Sequence, residues 1–431
     1  MIKNNVLVYP CSTGIGMEIY NSLKNIKHLT LFGLDSSLRS KGYYLYENFS
    51  HFVPYTDNKF IDNIKTYIKL NNIDIIIPAD DNAVIIFKEY EHLLNVIVVT
   101  SPYETSMIAR SKQKTYECLK NAVSVPKLYS YEDSNIIYPV YIKPDNGAGN
   151  VNSFKINNYT ELSQKIDNTH IICEYLPGKE YTVECLTDKK GKLLCCIPRE
   201  RTVVSNGLSI GTKLILHDAK ILVDAELIAN KINDTLKFIG SWFFQVKYNS
   251  ANILTLLEIS TRIPGASNIL TNYGINMCLL SIYIHLNKDV SISHLDVNEL
   301  ETLKIYKNYY DVKIEYDNVY IDFDDTLILN DKVNLDIICF IYKAINKKKN
   351  IYLITRHRHN LDETMNKYKL SSNMFNEIYL LQDNQSKNSF IKNNSIFIDD
   401  SFAERLSIDK NKNIYCFDTA NIDILLNNKN I

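Results

Sequence analysis

Short apolar runs alternate with helix-spaced segments almost from the first residue. Residues 6–9, 29–34, 73–78 and 96–100 are such runs, and residues 17–24 between the first two repeat their apolar positions at helical spacing. Runs of this kind separated by helices are the pattern of a parallel sheet covered on both faces, so residues 1–100 are expected to form a small α/β domain. Residues 101–290 read differently. Short strands and glycine-containing turns surround two helices, at 112–122 and 219–236, which predicts an α+β domain. Residues 291–316 are polar, charged and poor in Gly and Pro, and are expected to be a connector with some structure of its own. At residue 319 the alternation resumes, with strands at 319–321, 351–354, 378–381 and 395–398 and helices at 335–345 and 360–368. Residues 317–431 are therefore expected to hold a second doubly wound sheet. The fold class is a multidomain chain, α/β and α+β, without internal repeats.

Composition narrows the function classes. At 431 residues the chain exceeds what one hydrophobic core normally serves, and 45% hydrophobic with 23% charged residues is the balance of a soluble globular protein. No apolar run approaches the ~18 residues that span a bilayer, and the N-terminus has no signal-peptide cleavage pattern, so a cytoplasmic protein is expected. Nine cysteines without a C-x-x-C pair are read as reduced core thiols, not as a disulfide framework or a zinc site. A formal net charge of −1 supplies no field to gather nucleic acid or anionic lipid, so small-molecule partners are expected, with a homo-oligomer left open.

The most specific chemistry is Asp322-Phe323-Asp324-Asp325-Thr326, directly after the strand at 319–321. At the C-terminal end of a parallel strand, carboxylates two residues apart face one crevice. One can attack phosphorus while the other protonates the leaving oxygen. Thr355 ends the next strand, Lys387 follows a third, and Asp399-Asp400 ends a fourth, supplying a phosphoryl-oxygen donor, a neutralising cation and metal ligands. Lys387, in Ser386-Lys387-Asn388-Ser389, reads equally as a solvated surface lysine. In this order the four elements resemble the motifs of the haloacid dehalogenase (HAD) superfamily over residues 317–431. The resemblance implies a Rossmann-like domain with Asp322 as nucleophile, Asp324 as general acid/base, and Asp322, Asp324 and Asp400 at a Mg2+ site whose side-chain ligands are Asp322 and Asp400. Only one helix and short turns fit between Thr326 and Thr355, so no cap domain is expected.

A second constellation lies upstream. Pro139-Val140-Tyr141-Ile142-Lys143-Pro144 leads into Asp145-Asn146-Gly147-Ala148-Gly149, a lysine at a strand end before a turn whose glycines let backbone N–H groups approach phosphate; an ordinary hairpin explains the pattern as well. Glu174-Tyr175-Leu176-Pro177-Gly178-Lys179-Glu180 joins two strands, and Gln245 and Glu258 present oxygen ligands on two more. These segments resemble the ATP-grasp superfamily, particularly its carbamoyl-phosphate-synthase-like and amino-acid-ligase-like branches, over residues 1–290. The resemblance implies that residues 1–100 are the pre-ATP-grasp domain and 101–290 the ATP-grasp domain. It also implies that Lys112, Lys143, Gly147 and Gly149 contact ATP, that Glu174, Leu176 and Glu180 line the nucleoside pocket, that Gln245 and Glu258 hold Mg2+ (or Mn2+ in its place), and that Arg262 braces the transferred phosphate. The family's Glu-x-Asn is here Glu258-Ile259-Ser260, which shortens one ligand.

Each of these residues also has a plainer reading as an outward-facing strand residue or a surface salt-bridge partner. Arg199 and Arg201 are read either as holders of a substrate carboxylate or as surface arginines, and Asp80-Asp81-Asn82 as an acceptor contact or a helix cap. Ser12-Thr13-Gly14-Ile15-Gly16 lacks the third glycine of a dinucleotide fingerprint, and only Asp35 offers a ribose-binding acid, so NAD is disfavoured. The two resemblances together imply an ATP-dependent carboxylate–amine ligase fused to a phosphatase acting on a phosphate monoester. The alternatives are a ligase with a non-catalytic regulatory C-terminal domain and an ATP-dependent small-molecule kinase.

Overall fold

The computed structural model describes residues 3–147, 151–205, 208–305, 307–408 and 412–431. The chain divides into two compact units, Met1–Ile305 and Tyr306–Ile431.

The first unit opens on a five-stranded parallel sheet in the order Asn48–His51, Leu29–Asp35, Asn4–Tyr9, Ile75–Pro78, Ile97–Val98. The strand alternation divides each apolar run between two cores. Val6, Val8, Ile75 and Ile77 pack with Ile19 and Leu23 of one helix, whereas Leu7, Tyr9 and Ile76 pack with Phe60, Ile64 and Phe87 on the other face. The helix Gly14–Leu23 starts where Thr13 accepts a hydrogen bond from the Gly16 amide at 3.0 Å. Asp35, considered above as a ribose ligand, instead accepts from the Ser12 and Ser37 amides. The edge strand Asn48–His51 is too short and polar to register as an apolar run.

Two further sheets complete this unit. The smaller has the order Leu128–Tyr129, His170–Glu174, Val140–Pro144, Phe154–Ile156, and the larger is antiparallel in the order Leu254–Ser260, Gly240–Tyr248, Glu180–Thr187, Leu193–Ser205, Leu208–Leu214, Glu301–Leu303. Glu301–Leu303 falls in the stretch expected to be a connector, yet it pairs with Gly211–Lys213. Against the larger sheet lies the helix Ala219–Leu236, capped by Asp218. Its Ile221, Ala225, Ala229, Ile232 and Leu236 repeat at helical spacing and meet Trp242, Phe244 and Val246. The helix expected at 112–122 is Lys112–Leu119, started by Ser111, which accepts from the Lys114 amide, and a separate helix, Tyr103–Arg110, precedes it.

The second unit is a five-stranded parallel sheet in the order Glu377–Leu380, Asn350–Thr355, Asn318–Ile321, Ser395–Ile398, Ile414–Phe417. Val319 and Ile321 face a core with Phe340 and Ile341, while Tyr320 faces the opposite side and stacks on Tyr352 at 4.6 Å. Between Thr326 and Thr355 stand a small hairpin, Ile328–Leu329 with Lys332–Val333, and the helix Leu335–Asn346. Asn330 and Asp331 at the hairpin tip both have positive φ, as a tight two-residue turn demands.

None of the nine cysteines forms a disulfide, and Cys118 and Cys339 are exposed, so the expectation of core thiols fails for those two. Among the described residues no helix is long and apolar enough to cross a membrane.

Candidate active sites

In the second unit, the strand Asn318–Ile321 runs parallel between Asn350–Thr355 and Ser395–Ile398, with Ile321 level with Leu353 and Ile398. All three therefore end on the same edge of the sheet, and this pairing brings together Asp322, Thr355 and Asp399-Asp400 from separate stretches of the chain. The segment after Asp322 turns back at Asp325, φ +56°, and closes with the Leu327 amide on the Asp322 carbonyl and the Ile328 amide on the Phe323 carbonyl. Thr326 locks this turn to the neighbouring strand end, accepting from the Asp400 amide at 2.9 Å and donating to its carboxylate at 3.2 Å.

Lys387 is no surface lysine. It is 3% exposed, and its Nζ lies 2.6 Å from both Asp322 Oδ1 and Asp399 Oδ2. Burial alone lowers the Lys387 ammonium, but the two carboxylates outweigh it and hold the group charged. Burial pushes the Asp322 and Asp399 carboxyls up while Lys387 pulls both down. Asp322, Asp399 and Asp400 bring ligand oxygens within 4.8 Å of one another. Three acids facing one lysine leave an excess of negative charge, and an all-oxygen donor set is what Mg2+ takes, so these residues fit such an ion. The Asp324 carboxylate is not in this cluster. It lies 2.9 and 3.0 Å from His357 Nδ1, apart from Asp322 and Asp400, the two side-chain ligands that the resemblance implied. Thr355 is 1% exposed and its hydroxyl has no hydrogen-bond partner among the described residues, so it can donate to a phosphoryl oxygen. His357 and Arg356 were not singled out from sequence. Arg356 lies 2.6 Å from Glu404 and donates to the Gln385 carbonyl, and the basic run Arg356-His357-Arg358-His359 after a strand end was the available signal.

In the first unit, Trp242, Phe244, Val246 and Ile259 point into the core, so Gln245 and Glu258, directly opposite each other across the strand pair, face the other side. Thr182 stands beside Gln245 on the same face, fully buried, its hydroxyl without a partner among the described residues. Lys143 is buried and donates to the Tyr116 hydroxyl at 2.8 Å and to the Leu257 carbonyl at 3.1 Å, which fixes it next to Glu258. Tyr116 donates to the same carbonyl at 2.6 Å, and its own ionisation is pushed up to about 12, first by burial. Burial lowers Lys143, but Tyr116, Cys173 and Glu258 together carry it above its ordinary value; at Lys112 burial prevails over Glu258 and the ammonium is lowered. Lys112 donates to the Asp145 and Gly147 carbonyls, which clasps the turn after Val140–Pro144. Gly149 lies outside the described residues.

Other predicted residues are already partnered within the chain. Glu180 pairs with Arg201 at 2.7 Å, Glu174 accepts from the Lys127 amide at 3.4 Å, and Leu176 is buried. Arg262 Nε lies 3.1 Å from Asp81, its guanidinium over the Phe243 ring, and Ser260 donates to Asp81 at 2.6 Å. The Ser260 hydroxyl is thus committed to Asp81, which weakens it further as a metal ligand. Burial works against the Asp81 charge, but Arg262 and Ser260 hold it below the usual carboxylate range. The Asp80 side chain caps the following helix at the Ala83 amide, so within Asp80-Asp81-Asn82 the cap and the site contact belong to different residues.

Arg199 is buried, 2.6 Å from Glu184 and 3.2 Å from Thr212, so the surface reading fails for it. Replacing Arg199 by Met would strand the Glu184 carboxylate in the sheet, and we expect a loss of about 3 kcal/mol in stability, seen as a lower urea midpoint. The double substitution with Glu184→Gln should recover most of that loss; an unchanged midpoint in Arg199→Met alone would mean that the pair does not support the fold.

These sheets and their order define an ATP-grasp fold in the first unit. Residues 167–303 match the family model described as ATP-grasp in the biosynthetic pathway with Ter operon. A D-alanine--D-alanine ligase of Natranaerobius thermophilus is 24% identical over 232 residues, which cover 47% of this chain and 61% of that protein; the chain therefore spans less than two thirds of that relative's length. Similar solved structures include L-amino acid ligase from Bacillus licheniformis, at TM-score 0.54 and 16% identity over 66% of this chain and 74% of that one. N5-carboxyaminoimidazole synthetase from Staphylococcus aureus complexed with ADP aligns at TM-score 0.56 and 16% identity, over 70% and 82%.

Proposed function

We propose that the first unit is an ATP-dependent carboxylate–amine ligase and the second a Mg2+-dependent phosphomonoester phosphatase of the HAD type. The observation that carries the first reading is the convergence of Lys112, Lys143 and Glu258 on an ATP-grasp fold, with Gln245 and the unsatisfied Thr182 hydroxyl beside them. Lys143 and Lys112 would hold the phosphates of ATP, and Gln245 and Glu258 would hold Mg2+, which screens charge as the phosphoryl group moves. In that setting the γ-phosphoryl group passes to a substrate carboxylate, an amine attacks the acyl carbon, and ADP and phosphate leave. Phosphoryl transfer needs positioning and charge neutralisation more than covalent help from the protein, which is what two buried lysines and an arginine supply.

In the second unit the supporting observation is Lys387 clamped between Asp322 and Asp399, with the unsatisfied Thr355 hydroxyl at the adjacent strand end. Asp322 attacks phosphorus, Asp324 gives a proton to the departing oxygen, and Asp324 then takes a proton from the water that hydrolyses the aspartyl phosphate. Thr355 and Lys387 bind the phosphoryl oxygens. Asp322 and Asp400 would hold a Mg2+ ion that offsets the negative charge brought by the substrate. With no inserted cap, the site suits a large ester in small-molecule or surface-polysaccharide tailoring.

The test offers the purified chain MgATP with candidate acids and amines and follows ADP, phosphate and product mass separately. An amide with stoichiometric ADP is expected. A stable phosphoester as the final product would replace the ligase by a kinase, and absence of hydrolysis for every monoester tried would leave the second unit a regulatory module.

A further inference from the structure

His357 follows the proposed phosphoryl-binding Thr355 by two residues, and its ring meets Asp324. Its hydrogen bonds run in one direction. The Thr364 hydroxyl donates to the Asn360 carbonyl at 2.9 Å, so toward His357 it accepts, and the Nε2–H of the imidazole donates to it at 2.9 Å. Nδ1 is left facing both oxygens of Asp324, at 2.9 and 3.0 Å. The imidazole side chain is 7% exposed, edge-on to Phe323 at 5.2 Å and against His359 at 5.7 Å, whereas the Asp324 side chain is 52% exposed. A half-exposed carboxyl has no packing to choose its rotamer. The buried ring, anchored through Thr364 at the start of the helix Leu361–Lys367, chooses it.

We propose that His357 is a positioning residue that aims the Asp324 carboxyl at the leaving oxygen of the phosphate ester, with Thr364 fixing the ring. The proposal rests on the phosphatase reading of the second unit and adds to it the group that orients the acid. Proton donation matters in proportion to how poor the leaving group is. An alkyl phosphate, whose alkoxide cannot depart unaided, depends on an aimed acid; 4-nitrophenyl phosphate does not.

The test compares the full chain with its His357→Ala, His357→Asn and Thr364→Val variants on glycerol 2-phosphate and 4-nitrophenyl phosphate, with Asp322→Asn as the blank. In His357→Ala, kcat/KM on the alkyl ester should fall by about 30-fold and on the aryl ester by less than about 3-fold, a partial loss of the roughly 10²–10⁴-fold that general acid catalysis contributes, since Asp324 itself remains. His357→Asn, whose amide reaches the Nδ1 position, should restore much of the alkyl activity, and Thr364→Val should show the same selective loss in smaller measure. An equal loss on both esters, no loss on either, or a gain on the alkyl ester would overturn the proposal. If His357→Ala does not fold, Thr364→Val carries the same comparison. If the unsubstituted chain hydrolyses neither ester above the blank, it is the phosphatase reading that fails, and this one falls with it.

Discussion

Asp322→Asn is expected to lower phosphate release from any accepted monoester by at least about 10³-fold while ATP-dependent ADP formation continues, since loss of a covalent nucleophile removes the pathway and not just a contact. The amide keeps the volume of the carboxylate, so the buried setting survives, and Lys387 retains Asp399 at 2.6 Å. What disappears is the only group in the cluster placed at the end of the central strand, flanked by Thr355 on one neighbouring strand and Asp399 on the other. Assay of both activities on one preparation decides it. Unchanged phosphate release would remove Asp322 from the chemistry, whereas loss of both activities together would point to a folding defect.

The second site was the more legible in sequence because its residues are indexed by strand ends. An apolar run marks a buried strand, and the residue after the run lies at the open edge of a parallel sheet, so the pattern alone assigns Asp322, Thr355 and Asp399 to one edge. Lys387 could not be settled that way. It rises from a single 3-10 turn in a polar loop, where nothing in the sequence separates a buried lysine from a solvated one. His357 was missed for a related reason: its role is defined by a rotamer facing Asp324, 33 residues away. In the first unit the proposed oxygen ligands were readable as alternate positions of two strands, because Phe244 and Val246 declare the core face and leave Gln245 on the other. The ion pairs were not. That Arg262 meets Asp81 and Glu180 meets Arg201 depends on which elements lie side by side, and spacing along the chain carries no such information. Asp81 in particular joins two sheets of one unit, holding both Ser260 and Arg262, and no local pattern announces it.

Lys143→Met should have the largest effect on the first unit. Lys143 extends from Val140–Pro144 on the smaller sheet to the Leu257 carbonyl on the larger one, so it links the two sheets at the position next to Glu258. Met matches its length and tolerates the buried surroundings, but it takes the ammonium away from the Tyr116 hydroxyl, which keeps its bond to the Leu257 carbonyl, and brings no charge. If Lys143 contacts the phosphates of ATP as proposed, ADP formation should fall by about 10²–10³-fold, the scale of removing one charge-stabilising donor from a phosphoryl-transfer site. Arginine should not rescue it, because a planar guanidinium cannot enter a cleft built around one ammonium and two close oxygens. The control is internal: hydrolysis of a monoester by the second unit should be unaffected. If the Met variant forms ADP at the original rate, the nucleotide does not lie against Lys143. The convergence of Lys112, Lys143 and Glu258 would then be a structural clasp between two sheets, and the phosphate-binding group would have to be sought elsewhere on the same face.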